Sequence, residues 1–267
     1  MSGAIKLFVS DIDGTLVRHD KSLSDGNVAA AKRLVTAGIG MSLISARPIS
    51  GMRWIVDKIG LPGPFAAFNG GTIFDADGTI VSAARLDDGL AAEALKLIGD
   101  RCESWLFTGG HWYAHTGEGL HPDRERLSAG VEPDVVASFD GLVHAVDKLV
   151  AVTDDSALLD TIEQEAKAKF GDKANIVRSQ TYYLDFTAPA ANKGDGLEAL
   201  AKAYGVPLEA VAVAGDMNND LPMFARAAHS YAMGQAAENV RDAASEVSTS
   251  NDDDGIAVVI GRLLGER

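Results

Sequence analysis

Apolar runs and polar stops divide this chain into a repeating pattern. Ile5 to Val9 is a short apolar run that ends abruptly at Asp11, which predicts a strand buried on both faces. Ser24 caps a helical stretch in which Val28, Ala31, Leu34 and Val35 share a face, and Gly38 stops it. Ile39 to Ile44 predicts a second strand, ending at Ser45. Pro48 opens another helix, with Met52, Ile55, Val56 and Ile59 in register and Gly60 closing it. Strand, helix, strand, helix is the order of a parallel α/β sheet.

The pattern changes at Phe65. Phe65-Ala66-Ala67-Phe68 leads into Asn69-Gly70-Gly71, and Asp77-Gly78 marks a hairpin turn between short strands. Beyond that, a helix is predicted over about 88–101, and Trp105-Leu106-Phe107 and Trp112-Tyr113-Ala114 flank Gly109-Gly110 as a hairpin. Leu149 to Val152 reads as a strand, about 156–169 as a helix, and Tyr182 to Phe186 as a further strand. After Pro189 the first pattern resumes: a helix over about 194–204, a buried strand at Val211 to Ala214, and helices near 220–226, 237–243 and 255–264 alternating with short strands. The expected fold is α/β. It has a parallel-sheet, Rossmann-like core, residues 1–83 and 189–267, and an inserted α+β cap domain with an antiparallel sheet, residues 84–188.

Three of the apolar strands stop at polar residues: Asp11, Ser45 and Asp216. In an open parallel sheet the carboxyl ends of the strands line one edge, and ligands bind there. Asp11-Ile12-Asp13-Gly14-Thr15-Leu16 carries two carboxylates two residues apart, so that one can attack or bind metal while the other moves a proton. A Ca²⁺ loop is excluded: Thr15 takes the third ligand position, and Ser22 stands where the bidentate Glu belongs. Gly215-Asp216-Met217-Asn218-Asn219-Asp220 offers two carboxylates and two amides, which suit a hard cation. Asp11, Asp13, Asp216 and Asp220 in one crevice would repel one another strongly without a cation, and with no Cys or His close by, Mg²⁺ is the expected ion. Lys193, just before a helix, is expected to pair with these acids and with a phosphate.

Other motifs carry less. Asp75-Ala76-Asp77-Gly78-Thr79 repeats the first motif's letters but follows a hairpin-like strand, so it is read as a turn. Asp154-Asp155 and Asp252-Asp253-Asp254 read as a solvated turn and a helix lead-in. His111 and His115 share a strand face but lack a third ligand at zinc spacing. No phosphate-binding P-loop, dinucleotide fingerprint or Gly-x-Ser-x-Gly elbow is present.

Composition narrows the function. Lys plus Arg is 24 against 38 Asp plus Glu, a formal net charge of −14. Such a surface repels nucleic acid and anionic lipid, so neither is an expected partner. A phosphorylated substrate would need a local positive field, which a divalent cation and a lysine supply. Cys102 is the single cysteine, so no intrachain disulfide forms. The opening run, from Met1 to Val9, is too short for a signal peptide, and no stretch reaches membrane-span length; a cytoplasmic protein is expected, of open oligomeric state.

Taken together, Asp11-Ile12-Asp13-Gly14-Thr15-Leu16, Ser45, Lys193 and Gly215-Asp216-Met217-Asn218-Asn219-Asp220 resemble the ordered motifs of the haloacid dehalogenase superfamily. The insertion between the second and third motifs, Asn69-Gly70 before a hairpin, and Asn219-Asp220-Leu221-Pro222-Met223 are similar to its Cof-type subgroup. The resemblance implies a Mg²⁺-dependent phosphatase acting on a small phosphorylated metabolite, such as a sugar phosphate or phosphorylated cofactor. By it, Asp11 is the nucleophile and Asp13 the proton donor and later base; Ser45, Ala46 and Lys193 attend the phosphate; Asp11, Asp13 (through its carbonyl) and Asp216 bind the metal, supported by Asn219 and Asp220. The subgroup has Thr-Gly-Arg where this chain has Ser45-Ala46-Arg47: the hydroxyl is kept, and Ala46 makes a close backbone approach less certain. Arg47 is a candidate either for substrate contact or for pairing with a core carboxylate; Asn69, Gly70, and in the insertion Trp112, Tyr113, His115, Tyr182 and Asp185, are candidate substrate contacts by position only. Two alternatives stay open: a phosphomutase or phosphotransferase of the same superfamily, and a non-catalytic phosphoacceptor domain.

Overall fold

The computed structural model describes residues 4–266. Met1, Ser2 and Gly3 of the opening run, and Arg267 at the end of the expected core, lie outside the described residues. In chain order the elements are β1 (Leu7–Ser10), α1 (Asp25–Thr36), β2 (Gly40–Leu43), α2 (Ile49–Ile59), β3 (Phe65–Ala67), β4 (Thr72–Phe74) and β5 (Ile80–Ala83). There follow α3 (Asp88–Ile98), β6 (Glu103–Thr108), β7 (His111–Ala114), α4 (Pro122–Ala129), β8 (Asp134–Val135), β9 (Val146–Val152), α5 (Ser156–Phe170), β10 (Asn175–Gln180) and β11 (Tyr183–Thr187). The chain continues through α6 (Lys193–Ala203), β12 (Val211–Gly215), α7 (Leu221–Phe224), β13 (His229–Ala232), α8 (Glu238–Ala243), β14 (Glu246–Val247) and α9 (Gly255–Leu263).

Contacts divide the described residues into two compact units: residues 4–46, 52–82 and 192–266, and residues 47–51 with 83–191. In the first unit a parallel sheet has the order β14-β13-β12-β1-β2. Every residue of β1 and β12 is buried, as expected of central strands covered on both faces. Leu7, Val9, Val211 and Val213 pack with Leu197, Leu200 and Met223 into one core. Ser24 caps α1 by accepting the Asn27 amide, as its sequence position predicts.

The second unit has a sheet of order β10-β11-β9-β6-β7-β8. Its pairs are antiparallel except β7 with β8, which run parallel, so the expected antiparallel sheet is mixed at that edge. Leu106, Leu149, Ala151, Leu184 and Phe186 meet Leu90, Ala94, Leu159 and Ile162 of α3 and α5 on one sheet face. The alternate residues, Trp105, Phe107, Trp112, Lys148 and Asp185, are also buried. The protein is thus mixed α/β, with a parallel central sheet and an inserted unit built on a second sheet. Among the described residues no helix is long and apolar enough to cross a membrane.

Candidate active site

Register explains why residues far apart in sequence meet. Ser10 at the end of β1 lies between Leu43 of β2 and Ala214 of β12. Asp11 is the next residue, its amide held by the Ala214 carbonyl at 2.9 Å. Asp216 directly follows β12, and Ser45 comes two residues past β2, so all three fall at the carboxyl edge of the sheet. The Ser45 amide donates to Ala66 at 2.9 Å and its carbonyl accepts from Asn69 at 2.7 Å, which fixes the backbone on both sides of that residue. Ala46 follows it, half-buried.

Lys193 reaches this edge from the first turn of α6, whose amino end is capped by the Asn192 side chain. Its ammonium donates to Asp11 Oδ1 at 2.5 Å and to Asp220 Oδ1 at 2.6 Å, and only 1% of Lys193 is exposed. A cation at a helix amino terminus opposes the helix dipole; two carboxylates in contact offset that. They also push the ammonium above its ordinary range against the effect of burial. The approach of α6 depends on Gly70. A Cβ there would lie 2.6 Å from the Gly196 Cα and 2.9 Å from the Asn192 carbonyl oxygen, and Gly70 has φ +96°.

Asp220 is committed on both sides. Its Oδ1 takes Lys193, and its Oδ2 accepts the Asp216 and Met217 amides at 2.8 and 2.9 Å. It therefore braces the turn carrying Asp216. Asp216 Oδ1 accepts the Thr15 hydroxyl at 3.1 Å. Oxygens of Asp11, Asp216 and Asp220 lie within 4.8 Å of one another. Burial raises the Asp11 carboxyl well above the carboxylate range, with Lys193 opposing and Asp220 and Asp216 adding to it. Burial, then the Asp220 charge, pushes Asp216 up to about 6. Buried acids held this close gain from added positive charge, and Asp11 and Asp216 each keep one oxygen outside these hydrogen bonds. The all-oxygen donor set fits a hard divalent cation.

Asp13 stands on the loop after Asp11, where its Oδ1 accepts from Lys21 Nζ at 2.6 Å. That loop is tied down from the far end of the chain. Gln235 donates to the Gly14 carbonyl at 2.6 Å, Asn251 to the Val17 carbonyl at 2.9 Å, and Arg18 pairs with Asp254 at 3.0 Å. Asp252 accepts the His19 amide at 2.9 Å. The Asp252-Asp253-Asp254 run leads into α9, as expected, and its Asp252 and Asp254 also anchor the Asp13 loop. Lys21 and Gln235 carried no local pattern in the sequence, and Thr15 appeared there only as a letter of the first motif.

The remaining candidates are scattered. Asn219 donates to Asn69 Oδ1 at 3.1 Å, linking the two motifs. Arg47 is buried and donates to the Gly51 carbonyl at 3.0 Å. In the inserted unit, Trp112 and Asp185 lie on the sheet face away from α3 and α5, while Tyr113 packs with the helix-side core. His115 bonds to the Val136 carbonyl and its ring lies 4.3 Å from Phe139, and His111 pairs with Asp134. The Asp75–Thr79 segment is a turn, with Asp77 accepting the Thr79 amide.

Asp185 is almost fully buried, and neither carboxylate oxygen has a hydrogen-bond partner. Burial raises its carboxyl, opposed chiefly by Lys148, whose ammonium is 4.0 Å away. A raised carboxyl keeps in the folded protein a proton that the unfolded chain has released. Stability is then highest at acid pH and falls as pH climbs from the ordinary carboxylate range through the folded value. Asp185→Asn is expected to gain stability relative to the wild type across that window, measured as urea midpoints at several pH values. Parallel curves for the two proteins would mean that Lys148 compensates the charge in full.

Residues 8–260 match the family model described as haloacid dehalogenase-like hydrolase. The 5-amino-6-(5-phospho-D-ribitylamino)uracil phosphatase YwtE of Bacillus subtilis is 28% identical, covering 97% of this chain and 98% of its own. The HMP-PP phosphatase of Cronobacter sakazakii is 27% identical over 86% of this chain and 85% of its own. The crystal structure of a haloacid dehalogenase-like hydrolase from Bacteroides thetaiotaomicron superposes with a TM-score of 0.88 at 26% identity, covering 97% and 99% of the two chains.

Proposed function

The chain belongs to the haloacid dehalogenase-like hydrolases, and from that premise we propose that it is a Mg²⁺-dependent phosphatase of a small phosphorylated metabolite. The observation that carries the reading is the buried Lys193 ammonium held between Asp11 and Asp220 beside Asp216, at the edge where three strands end. The names of the B. subtilis and C. sakazakii relatives support a small phosphorylated substrate.

Asp11 is the nucleophile. Its uncommitted oxygen forms a bond to phosphorus as the bond from phosphorus to the leaving oxygen breaks, giving an aspartyl phosphate. Asp13 gives its proton to the leaving oxygen. As a carboxylate it then takes a proton from the water that attacks phosphorus, which frees phosphate and restores Asp11. Lys193 neutralises charge on Asp11 and on the phosphoryl oxygens, and Ser45 holds one of those oxygens. Asp11, Asp216 and the Asp13 carbonyl would hold Mg²⁺, which when bound would supply further positive charge beside the phosphoryl oxygens. Asp220 and Asn219 hold the ligand-bearing turn in place.

Incubation with p-nitrophenyl phosphate is expected to release one inorganic phosphate per p-nitrophenol. The activity should disappear with EDTA and return with excess Mg²⁺. A hexose monophosphate with a bisphosphate activator separates the rival reading: isomerised sugar without free phosphate would make the protein a mutase.

A further inference from the structure

Asp13 and Gly14 are the middle residues of a turn closed by the Thr15 amide on the Ile12 carbonyl at 3.3 Å. Gly14 has φ +78°, as a type II turn requires at its third position. The turn lies directly against Asp216. A Cβ on Gly14 would come within 2.2 Å of Asp216 Oδ2, and the Thr15 hydroxyl donates to Oδ1 at 3.1 Å. Two groups named above for the ion, the Asp13 carbonyl and the Asp216 carboxylate, therefore belong to neighbouring turns from opposite ends of the sequence. Glycine permits that close approach, but it also gives the turn more backbone freedom than any other residue would.

Gln235 joins the two turns. Its own segment follows β13 and is held on the Asp216 side: the Met233 amide donates to the Gly215 carbonyl and the Gly234 amide to the Thr249 carbonyl, both at 3.0 Å. Its side chain reaches the Asp13 side, where Nε2 donates to the Gly14 carbonyl at 2.6 Å. Oε1 accepts the Asn251 amide at 3.1 Å, so the carboxamide is gripped at both ends and only one orientation satisfies both bonds. Asn251 is buried and itself donates to the Val17 carbonyl. We propose that Gln235 is a positioning residue, a strut that sets the spacing of the Asp13 carbonyl and the Asp216 carboxylate for a divalent cation. The inference rests on the Mg²⁺ reading given above. Groups that fix metal ligands contribute on the order of 10–100-fold to metal affinity. The effect depends on the ion. Mg²⁺ demands near-ideal octahedral geometry, whereas Ca²⁺ accepts irregular and flexible ligand sets, so a turn free to drift harms Mg²⁺ binding more.

Ion binding to the substrate-free protein, followed by isothermal titration calorimetry, tests this. Gln235→Met, which keeps the stem and loses both polar ends, is expected to raise the Mg²⁺ dissociation constant about 10-fold and the Ca²⁺ constant less than about threefold. Gln235 is exposed, so the melting temperature in EDTA should fall by no more than about 4 °C. Asp216→Asn serves as reference, separating heat that belongs to the site from heat of ions gathering on the acidic surface. Unchanged Mg²⁺ binding in Gln235→Met would overturn the proposal, because the turn would then keep its place without the strut. So would an equal loss for both ions, which reports lost folding rather than displaced ligands. If Asp216→Asn binds Mg²⁺ as the wild type does, the metal assignment itself fails and the role of Gln235 falls with it. If Asp216→Asn loses Mg²⁺ and Gln235→Met does not, only the role of Gln235 fails.

Discussion

Asp11→Asn is expected to lower kcat for any phosphate monoester by on the order of 10⁴-fold or more while leaving the fold intact. The amide has the shape of the carboxylate but cannot form the acyl phosphate, so the two-step route closes. Stability should hold because Asp11 contributes no core packing beyond its own small volume, and its Lys193 contact has a second acceptor in Asp220. Circular dichroism and thermal melting verify folding, and turnover of p-nitrophenyl phosphate reads activity. A folded Asp11→Asn protein with a percent or more of wild-type kcat would remove Asp11 from the role of nucleophile.

Lys193→Met should do two things at once. Methionine fills the space of the stem but leaves the Asp11 and Asp220 carboxylates facing each other without the ammonium that joins them. Breaking a buried pair by removing one partner costs roughly 3–5 kcal/mol, because the charge left behind is uncompensated. Activity should fall by about 10³-fold, since the lost cation also faces the phosphoryl oxygens in the transition state. Denaturant melts and kinetics on the same preparation give both values. Lys193→Arg is not expected to rescue, because a site with 1% exposure has no room for the broader guanidinium. An unchanged melting curve for Lys193→Met would mean that the two carboxylates do not depend on the ammonium for their place in the core.

The sequence exposed those parts of the site that coincide with regular structure. Asp11, Ser45 and Asp216 stood out because each follows an apolar run, and a parallel strand buried on both faces has no other way to be written. Lys193 and Asp220 were legible as family motifs; nothing in local periodicity would have drawn a lysine at a helix start into the core. What stayed hidden were bonds between distant loops. Thr15 to Asp216, Gln235 to Gly14 and Arg18 to Asp254 join residues more than 200 positions apart. Such pairs leave no trace in spacing. The acidic run at 252–254 was legible as a helix lead-in but not as an anchor, because its partners, Arg18 and the His19 amide, lie more than 230 positions away. The parallel pairing of β7 with β8 escaped notice because β8 is only two residues long and carries no alternation.

The anchoring of the Asp13 loop by Gln235, Asn251, Asp252 and Asp254 sets an order of events as the polypeptide leaves the ribosome. Asp11 and β1 precede β12 by about 200 residues, so β1 must wait for β12 before its second edge is covered. Even then the Asp13 loop lacks its full set of moorings until synthesis has passed residue 254. A nascent chain can thus form most of the parallel sheet while the loop bearing Asp13 still waits for residues 235–254 to hold it.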